Sequence, residues 1–322
     1  MYASDPAPIG AGTASVRGLG RDPTVDDALL ARIGHTPLVR LGGIAPPGAG
    51  EFELWAKAEF LNPTGSVKDR AALEIVRELL RSGTLAPGRV LLDASSGNTA
   101  VAYAMLGARL GFEVELCLPR NANRERVDRI RAFGASLVFT DPGEGTDGAQ
   151  REARRRAAED PARYCYPDQY NHPANPLAHY RHTGPEIWEQ TSGRVTHFVA
   201  GVGTGGTISG TARFLKERRP STVVVGVEPT GPLHGIEGLK HLPSALRPGT
   251  YDPALLDRTV RIETEVAEEM QRRLAAEEGL AVGVSSGAAV AAAIEVGREH
   301  PGAVVVTVLP DGAGRFGEAG AP

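Results

Sequence analysis

One lysine in this chain stands where a surface charge is hard to explain. The stretch Asn62-Pro63-Thr64-Gly65-Ser66-Val67-Lys68-Asp69-Arg70 ends a turn rich in helix-starting residues. It leads into an amphipathic helix pattern over 69–81 with Leu73, Ile75, Val76, Leu79 and Leu80 as its apolar stripe. Lys68 therefore sits at a helix N-terminus, the end of the macrodipole that disfavours a cation. A solvated lysine fits that place poorly. An amine that is neutral, or covalently tied up as an imine, fits better, and this is how lysine serves carbonyl and pyridoxal phosphate (PLP) chemistry.

Three further stretches have residue types that suit ligands. Gly201-Val-Gly-Thr-Gly-Gly-Thr207 follows a near-continuous apolar strand and opens a helix, so its backbone amides can converge on an anion with the helix dipole behind them. Thr204 and Thr207 add hydroxyl donors, and the pattern reads as a phosphate cup more readily than as a plain glycine turn. It lacks the Gly-Lys-Ser/Thr of a Walker A loop and the ribose-binding acid of a dinucleotide fingerprint, which disfavours a nucleotide. Ser95-Ser-Gly-Asn-Thr99 also joins a strand to a helix. Its hydroxyls, amide and free N–H groups suit a carboxylate, although capping the helix is a sufficient structural use for them. Val284-Ser-Ser-Gly-Ala288 is a third such turn; a serine there either caps its helix or offers a neutral hydroxyl to a ring nitrogen.

The elements that must carry these turns repeat one theme. Strands are expected at 53–59, 89–93, 112–118 and 136–140, with helices at 99–110, 123–133 and 148–159 between or after them. A second run has strands at 163–166, 196–200 and 222–227 and helices at 184–191 and 207–218. An irregular loop from 229 to about 257 precedes helices at 265–278 and 286–298 and a last strand at 303–309. Alternation of this kind predicts α/β architecture with mostly parallel sheets in two units, and a ligand in the cleft at the carboxyl ends of the strands. The division expected is a disordered extension over 1–22, a smaller unit over 51–164, and a larger one made of 23–50 with 165–315.

Composition narrows the partners. At 322 residues the chain can bury a large core, and a net charge of −4 with only 5% aromatics argues against a nucleic-acid surface. Cys117 and Cys165 lie in apolar or aromatic surroundings without metal-ligand spacing, so they read as core thiols in a reducing cytosol and no metal is expected. No run is long and apolar enough for a membrane span, and the first residues lack the order of a signal peptide; a soluble, cytoplasmic protein is expected.

Taken in order, Asn62 to Arg70, Ser95 to Thr99, His172-Pro-Ala-Asn-Pro176, Thr183-Gly-Pro-Glu-Ile187, Gly201 to Thr207, Val284 to Ala289 and Leu309-Pro-Asp-Gly312 resemble the successive signatures of one family. It is the cysteine synthase and cystathionine β-synthase family of fold-type II PLP enzymes, whose fold is like that of the tryptophan synthase β chain. The similarity runs from about Ile33 to Gly312. It implies that Lys68 carries PLP and acts as base and acid at the substrate Cα, and that Asn98 hydrogen-bonds the phenolic oxygen of PLP. Gly203, Thr204, Gly205, Gly206 and Thr207 would hold the phosphate, and Ser285 would face the pyridine nitrogen. Ser95, Ser96, Gly97, Thr99 and Gln169 would bind the substrate carboxylate. A hydroxyl at the ring nitrogen, unlike an aspartate, does not hold a proton there, which favours β-elimination over transamination.

The implied reaction is β-replacement on an activated L-serine, most often O-acetyl-L-serine, by a sulfur nucleophile through an aminoacrylate to give L-cysteine. A homodimer, and a serine acetyltransferase or sulfur-carrier protein as partner, go with the resemblance. O-phosphoserine sulfhydrylase, cystathionine β-synthase and diaminopropionate synthase share the first half of that chemistry, and a catalytically silent regulatory relative is the reading from another class. The chain departs from the family at Ala94-Ser95, at Ala100 where glycine is usual, and at His35 where Asn is frequent. The methyl of Ala100 is expected to trim the substrate pocket, and the loop from Pro229 to Leu242 to line the cleft near the second substrate.

Overall fold

The computed structural model describes residues 27–44 and 52–313. The extension expected over 1–22 lies outside them. Two sheets organise the chain, and each forms from short β-branched runs that helices cover on both faces.

The larger sheet has six strands: β1 (Leu38–Arg40), β2 (Glu53–Ala58), β7 (His197–Gly201), β8 (Val223–Pro229), β9 (Arg258–Ile262) and β10 (Val304–Leu309). Their order is β1-β2-β10-β7-β8-β9, and only the β1–β2 pair is antiparallel. Val304-Val-Val-Thr-Val-Leu309 is buried throughout, as a central parallel strand covered on both faces must be. Helices α8 (Thr264–Glu278) and α9 (Val284–Glu299) close one face with Leu274, Ala288, Ala292 and Val296. On the other face α6 (Gly184–Gln190) and α7 (Gly206–Arg218) supply Ile187, Ile208, Ala212 and Leu215.

The smaller sheet has order β5-β4-β3-β6 and is wholly parallel, from β3 (Val90–Ala94), β4 (Glu113–Pro119), β5 (Ser136–Thr140) and β6 (Tyr164–Cys165). Leu73, Ile75, Val76 and Leu79 of α1 (Lys68–Arg81) join one core with α2 (Asn98–Leu110) and α3 (Arg124–Ala132). The opposite face packs on Ala149 and Ala153 of α4 (Gly145–Glu159). Two three-layer α/β units result. Among the described residues no helix is long and apolar enough to cross a membrane, and no His, Cys, Asp and Glu cluster could hold a metal.

Several details differ from the sequence reading. The strand expected to begin the smaller unit is β2, which pairs with β10 along its whole length, so it belongs to the larger sheet and the division expected at residue 51 is displaced. β9 was not expected; Val225 to Pro229 of β8 take it up as a parallel edge strand. The span expected as one helix at 184–191 is the end of a longer run: α5 (Ala174–Ala178) leads through a π-helical turn, His179–Thr183, into α6. The methyl of Ala100 is fully buried in the core around the smaller sheet.

Candidate active site

The start of α1 is fixed by a buried charge network. Arg70 grips Glu59 through Nε and Nη2 at 2.7 and 2.8 Å, and Glu186 through Nη1 and Nη2 at 2.7 Å each. Lys57, fully buried, pairs with Glu186 at 2.6 Å. Thr36 Oγ1 donates to Glu59 at 2.7 Å, and Asn62 Nδ2 donates to the other Glu59 oxygen at 2.8 Å. Two cations and two anions cancel inside the protein, and almost every lone pair and N–H is used, which is what buried charges require. Burial alone would raise the Glu186 carboxyl, but Arg70 and Lys57 outweigh it and hold it down at about 2. Arg70 is two residues beyond Lys68, so the network fixes the first turn of α1 to the six-stranded sheet.

Lys68 opens onto the cleft between the two units. Its amine has no hydrogen bond to any described residue, and burial among protein atoms lowers its pKa against the opposing pull of Asp311 and Glu59. Proton loss from this amine is therefore easier than from a surface lysine. Val67, Lys68, Asn98, Gly201, Gly203, Thr204, Gly205, Thr207, Ser285 and Asp311 line one cleft, together with Glu237, Gly238 and Leu239 of the 229–242 loop.

Four helices begin at this cleft: α1 at Lys68, α2 at Asn98, α7 at Gly206 and α9 at Val284. None of the four has a side-chain cap. Their positive dipole ends favour an anionic ligand, with Lys68 N and Gly206 N already donating to Ser66 Oγ and Thr204 Oγ1 at 3.3 Å each. At α7 the glycines are steric necessities. Gly205 has φ +87°, and a Cβ there would meet Tyr251; one on Gly203 would lie 2.2 Å from the Gly238 carbonyl oxygen. One on Gly206 would lie 1.9 Å from Asn175 Oδ1. The loop is a cradle that any side chain would fill, and its hydroxyls are held in place: Asn175 Nδ2 donates to Thr204 Oγ1 at 3.1 Å, and Thr207 Oγ1 lies 3.2 Å from His179 Nε2. Burial, with the Arg70 charge next, pushes His179 down to about 3, so its ring is neutral and its other nitrogen bonds Thr183 Oγ1 at 2.9 Å.

The Ser95–Thr99 loop is a neighbour of this cleft, and among the described residues it shares only Asn98 with it. Thr99 Oγ1 donates to Gln169 Oε1 at 2.7 Å, Gln169 Nε2 reaches the Ala94 carbonyl at 3.4 Å, and Ser95 Oγ accepts from Gly97 N at 3.3 Å. No neighbouring atom crowds the Cβ position of Gly97, and Ser96 is half-buried at the loop tip. The predicted substrate residues thus gather at the end of β3, and the predicted cofactor residues at the starts of α1, α2, α7 and α9.

Sequence reasoning assigned no part to Asp311, Asn175 or His179. Each lies in a segment quoted for its resemblance or directly after one, but its use depends on long-range contacts. Asn98 Nδ2, expected to face a ligand, donates to Asp311 Oδ2 at 2.8 Å.

The donor set suits PLP. A cradle emptied of side chains at a helix start fits a phosphate, an unbonded amine fits the carbonyl carbon, and the Ser285 hydroxyl at the start of α9 fits the ring nitrogen. Comparison with known proteins agrees. The chain is 50% identical over 295 residues to a cysteine synthase of Aquifex aeolicus, covering 90% of each. It is 43% identical over 290 residues to cysteine synthase B of Salmonella typhimurium, covering 90% of this chain and 94% of that one. The crystal structure of a cysteine synthase from Entamoeba histolytica superposes with a TM-score of 0.86 at 31% identity, covering 98% of this chain and 93% of that one. Residues 29–311 match the family described as pyridoxal-phosphate dependent enzyme. A lysine without a partner beside a glycine cradle thus has its explanation: the chain belongs to the pyridoxal-phosphate-dependent enzymes of the cysteine synthase type and works with PLP.

Proposed function

We propose that this enzyme makes L-cysteine by β-replacement on O-acetyl-L-serine with a sulfur nucleophile. The observation that carries the reading is the Lys68 amine, unbonded and depressed in basicity, in one cleft with the Gly203–Thr207 cradle. The N-terminus of α7, with Thr204 and Thr207, would hold the phosphate; Asn98 and Ser285 would orient the ring from opposite sides. Ser95, Ser96, Gly97, Thr99 and Gln169 would hold the substrate carboxylate. PLP, when bound, supplies the electron-withdrawing ring that makes the Cα proton labile. Lys68 takes that proton, and its low basicity leaves the amine free to do so near neutral pH. The acetate then departs from Cβ and the sulfur nucleophile adds there.

The enzyme is further proposed to be a cytosolic homodimer whose four-stranded unit closes over the substrate when the Ser95–Thr99 loop engages the carboxylate. A serine acetyltransferase or sulfur-carrier protein is the partner that goes with this reading. The test is the visible absorbance of the lysine-bound cofactor and its change on adding O-acetyl-L-serine, O-phospho-L-serine or L-serine. Wild type should respond to the first, and Lys68→Ala should lack both the band and turnover. A variant that kept both, or a wild type that answered to none of the three donors, would end the proposal.

A further inference from the structure

Beyond the residues proposed to hold cofactor and substrate, the cleft contains one carboxylate to which no cation among the described residues is bonded. Asp311 follows β10 and is pinned opposite the Lys68 turn: Ser66 and Asp311 form an antiparallel bridge, Val67 N donates to Pro310 O at 2.8 Å, and Gly312 N donates to Gly65 O at 3.2 Å. One carboxylate oxygen accepts from Asn98 Nδ2 at 2.8 Å. The other, Oδ1, is buried without a hydrogen-bond partner. It lies against the start of α9, where a Cβ on Gly283 would come within 2.2 Å of it. The carboxylate therefore stands between the starts of α2 and α9, whose positive dipole ends favour an anion.

We propose that Asp311 is a positioning residue of the reaction, clamping the Asn98 amide at the start of α2 and providing the negative charge opposite Lys68 while that amine carries the proton taken from the substrate. The inference rests on Lys68 being the base, as argued above. In that step the Cα–H bond breaks, its electron pair stays with the substrate, and a new N–H bond makes Lys68 an ammonium; Asp311 keeps its charge and exchanges no proton. The ammonium must then be tolerated in a buried place, and few groups face it. Glu59 is already matched by Arg70, Thr36 and Asn62, and His179 is neutral. On the Asp311 side, the other cation among the described residues that acts on it is Arg126, which is bound to Glu237 at 2.6 Å. Asp311 is the carboxylate left for Lys68. The mutual pull is consistent with this: burial raises the Asp311 carboxyl and lowers the Lys68 amine, and each acts against the shift of the other.

Asp311→Asn isolates the charge, because an asparagine oxygen can still accept from Asn98. In the full chain freed of cofactor, the pH dependence of Lys68 acetylation by acetic anhydride, read by peptide mass spectrometry, should shift to lower pH by roughly one unit, the low end of what a nearby opposite charge contributes. Asp311→Glu, which keeps the charge, should stay near wild type. In the loaded enzyme, Asp311→Asn should lower kcat about tenfold with little change in KM and enlarge the kinetic isotope effect of a donor deuterated at Cα, as one lost unit of charge stabilisation corresponds to tenfold. A merely structural role would not move the acetylation curve. Should the asparagine variant fail to fold, Asp311→Ser gives the same readout with a smaller neutral side chain. An acetylation curve superimposable on wild type, in an enzyme that turns over O-acetyl-L-serine through Lys68, overturns this proposal and leaves the reaction standing; loss of wild-type turnover would instead remove the reading on which it rests.

Discussion

Gly206→Ala is the smallest change that should empty the cofactor site. The new methyl would sit 1.9 Å from Asn175 Oδ1, whereas ordinary contact begins at 3.4 Å, so Asn175 must retreat by about 1.5 Å. That amide donates at 2.9 Å to the Gln169 carbonyl and at 3.1 Å to Thr204 Oγ1, and neither bond survives such a movement. Each is worth roughly 0.5–1.5 kcal/mol, so about 1–3 kcal/mol of ordering is lost from the cradle. If it is expressed in binding, cofactor affinity falls roughly 5- to 150-fold at about 1.4 kcal/mol per factor of ten. Alanine is the better helix residue by about 1 kcal/mol, so the melting temperature can stay near wild type while affinity drops. The assay is a titration of PLP into cofactor-free protein, followed by visible absorbance. Gly231→Ala, where a Cβ meets nothing within 4 Å, serves as control and should bind as wild type does. Asn175→Ala should itself weaken binding, and adding Gly206→Ala to it should cost nothing more, because the clash and both bonds are already gone. An affinity of Gly206→Ala within twofold of wild type, or full additivity of the two substitutions, would refute the reasoning.

Two further outcomes follow from buried charge. Arg70→Ala leaves Glu59 and Glu186 with only Lys57 for neutralisation and should cost about 3–5 kcal/mol in urea unfolding; Arg155→Ala, which breaks exposed pairs with Glu152 and Glu159, should leave the midpoint where it was. Acid should remove two stabilising contributions in turn, while Asp69 and Asp93, raised by burial to about 6 and about 7, take up protons in the folded state and act the other way over the same range. His179 has a folded value of about 3 against an ordinary 6.5, so the unfolded chain binds its proton first and stability falls as pH drops below about 6.5. Glu186, with a folded value of about 2 against 4.5, contributes fully above pH 4.5 and loses that contribution between 4.5 and 2. A difference in urea midpoint between wild type and His179→Gln that stays the same from pH 6.5 to 4.5 would rule out the neutral buried His179.

What was legible in the sequence is what short stretches determine. The glycines of 201–206, the serines of the two strand-to-helix turns and Lys68 announce themselves because a helix start needs particular residues within a few positions. β9 is a strand the sequence reading misses: Arg258-Thr-Val-Arg-Ile262 alternates, with Val260 and Ile262 inward, but its two arginines and the irregular loop before it hide the pattern. The affiliation of β2 was not legible, because its partner β10 lies at the opposite end of the described chain and local alternation contains no sheet order. α5 was hidden for another reason. Pro173, Asn175 and Pro176 disfavour a helix locally, and tertiary packing of Ala174 and Ala178 overrides them. Asp311, Asn175 and His179 have functions only through contacts with Asn98, Thr204 and Thr207, which a single sequence cannot place.

The arrangement divides the work between the two sheets. Lys68 is tied to the end of β10 through the Val67–Pro310 bond, and the glycine cradle follows β7, the strand paired beside β10. The distance between amine and cradle is therefore set within one sheet. The Ser95–Thr99 loop follows β3 of the other sheet, and Asn98 is the one residue of it that lines the cofactor cleft, joined to Asp311. α1 spans the division: its apolar stripe packs in the core of the smaller sheet while Arg70 fixes its start to Glu59 and Glu186. A shift of the smaller sheet would thus move the Ser95–Thr99 loop against the Gly203–Thr207 cradle, with the first turn of α1 as the fixed point. On this division, substitutions in the carboxylate loop should alter substrate affinity and leave the cofactor bound, whereas those at the starts of α7 and α9 should release it.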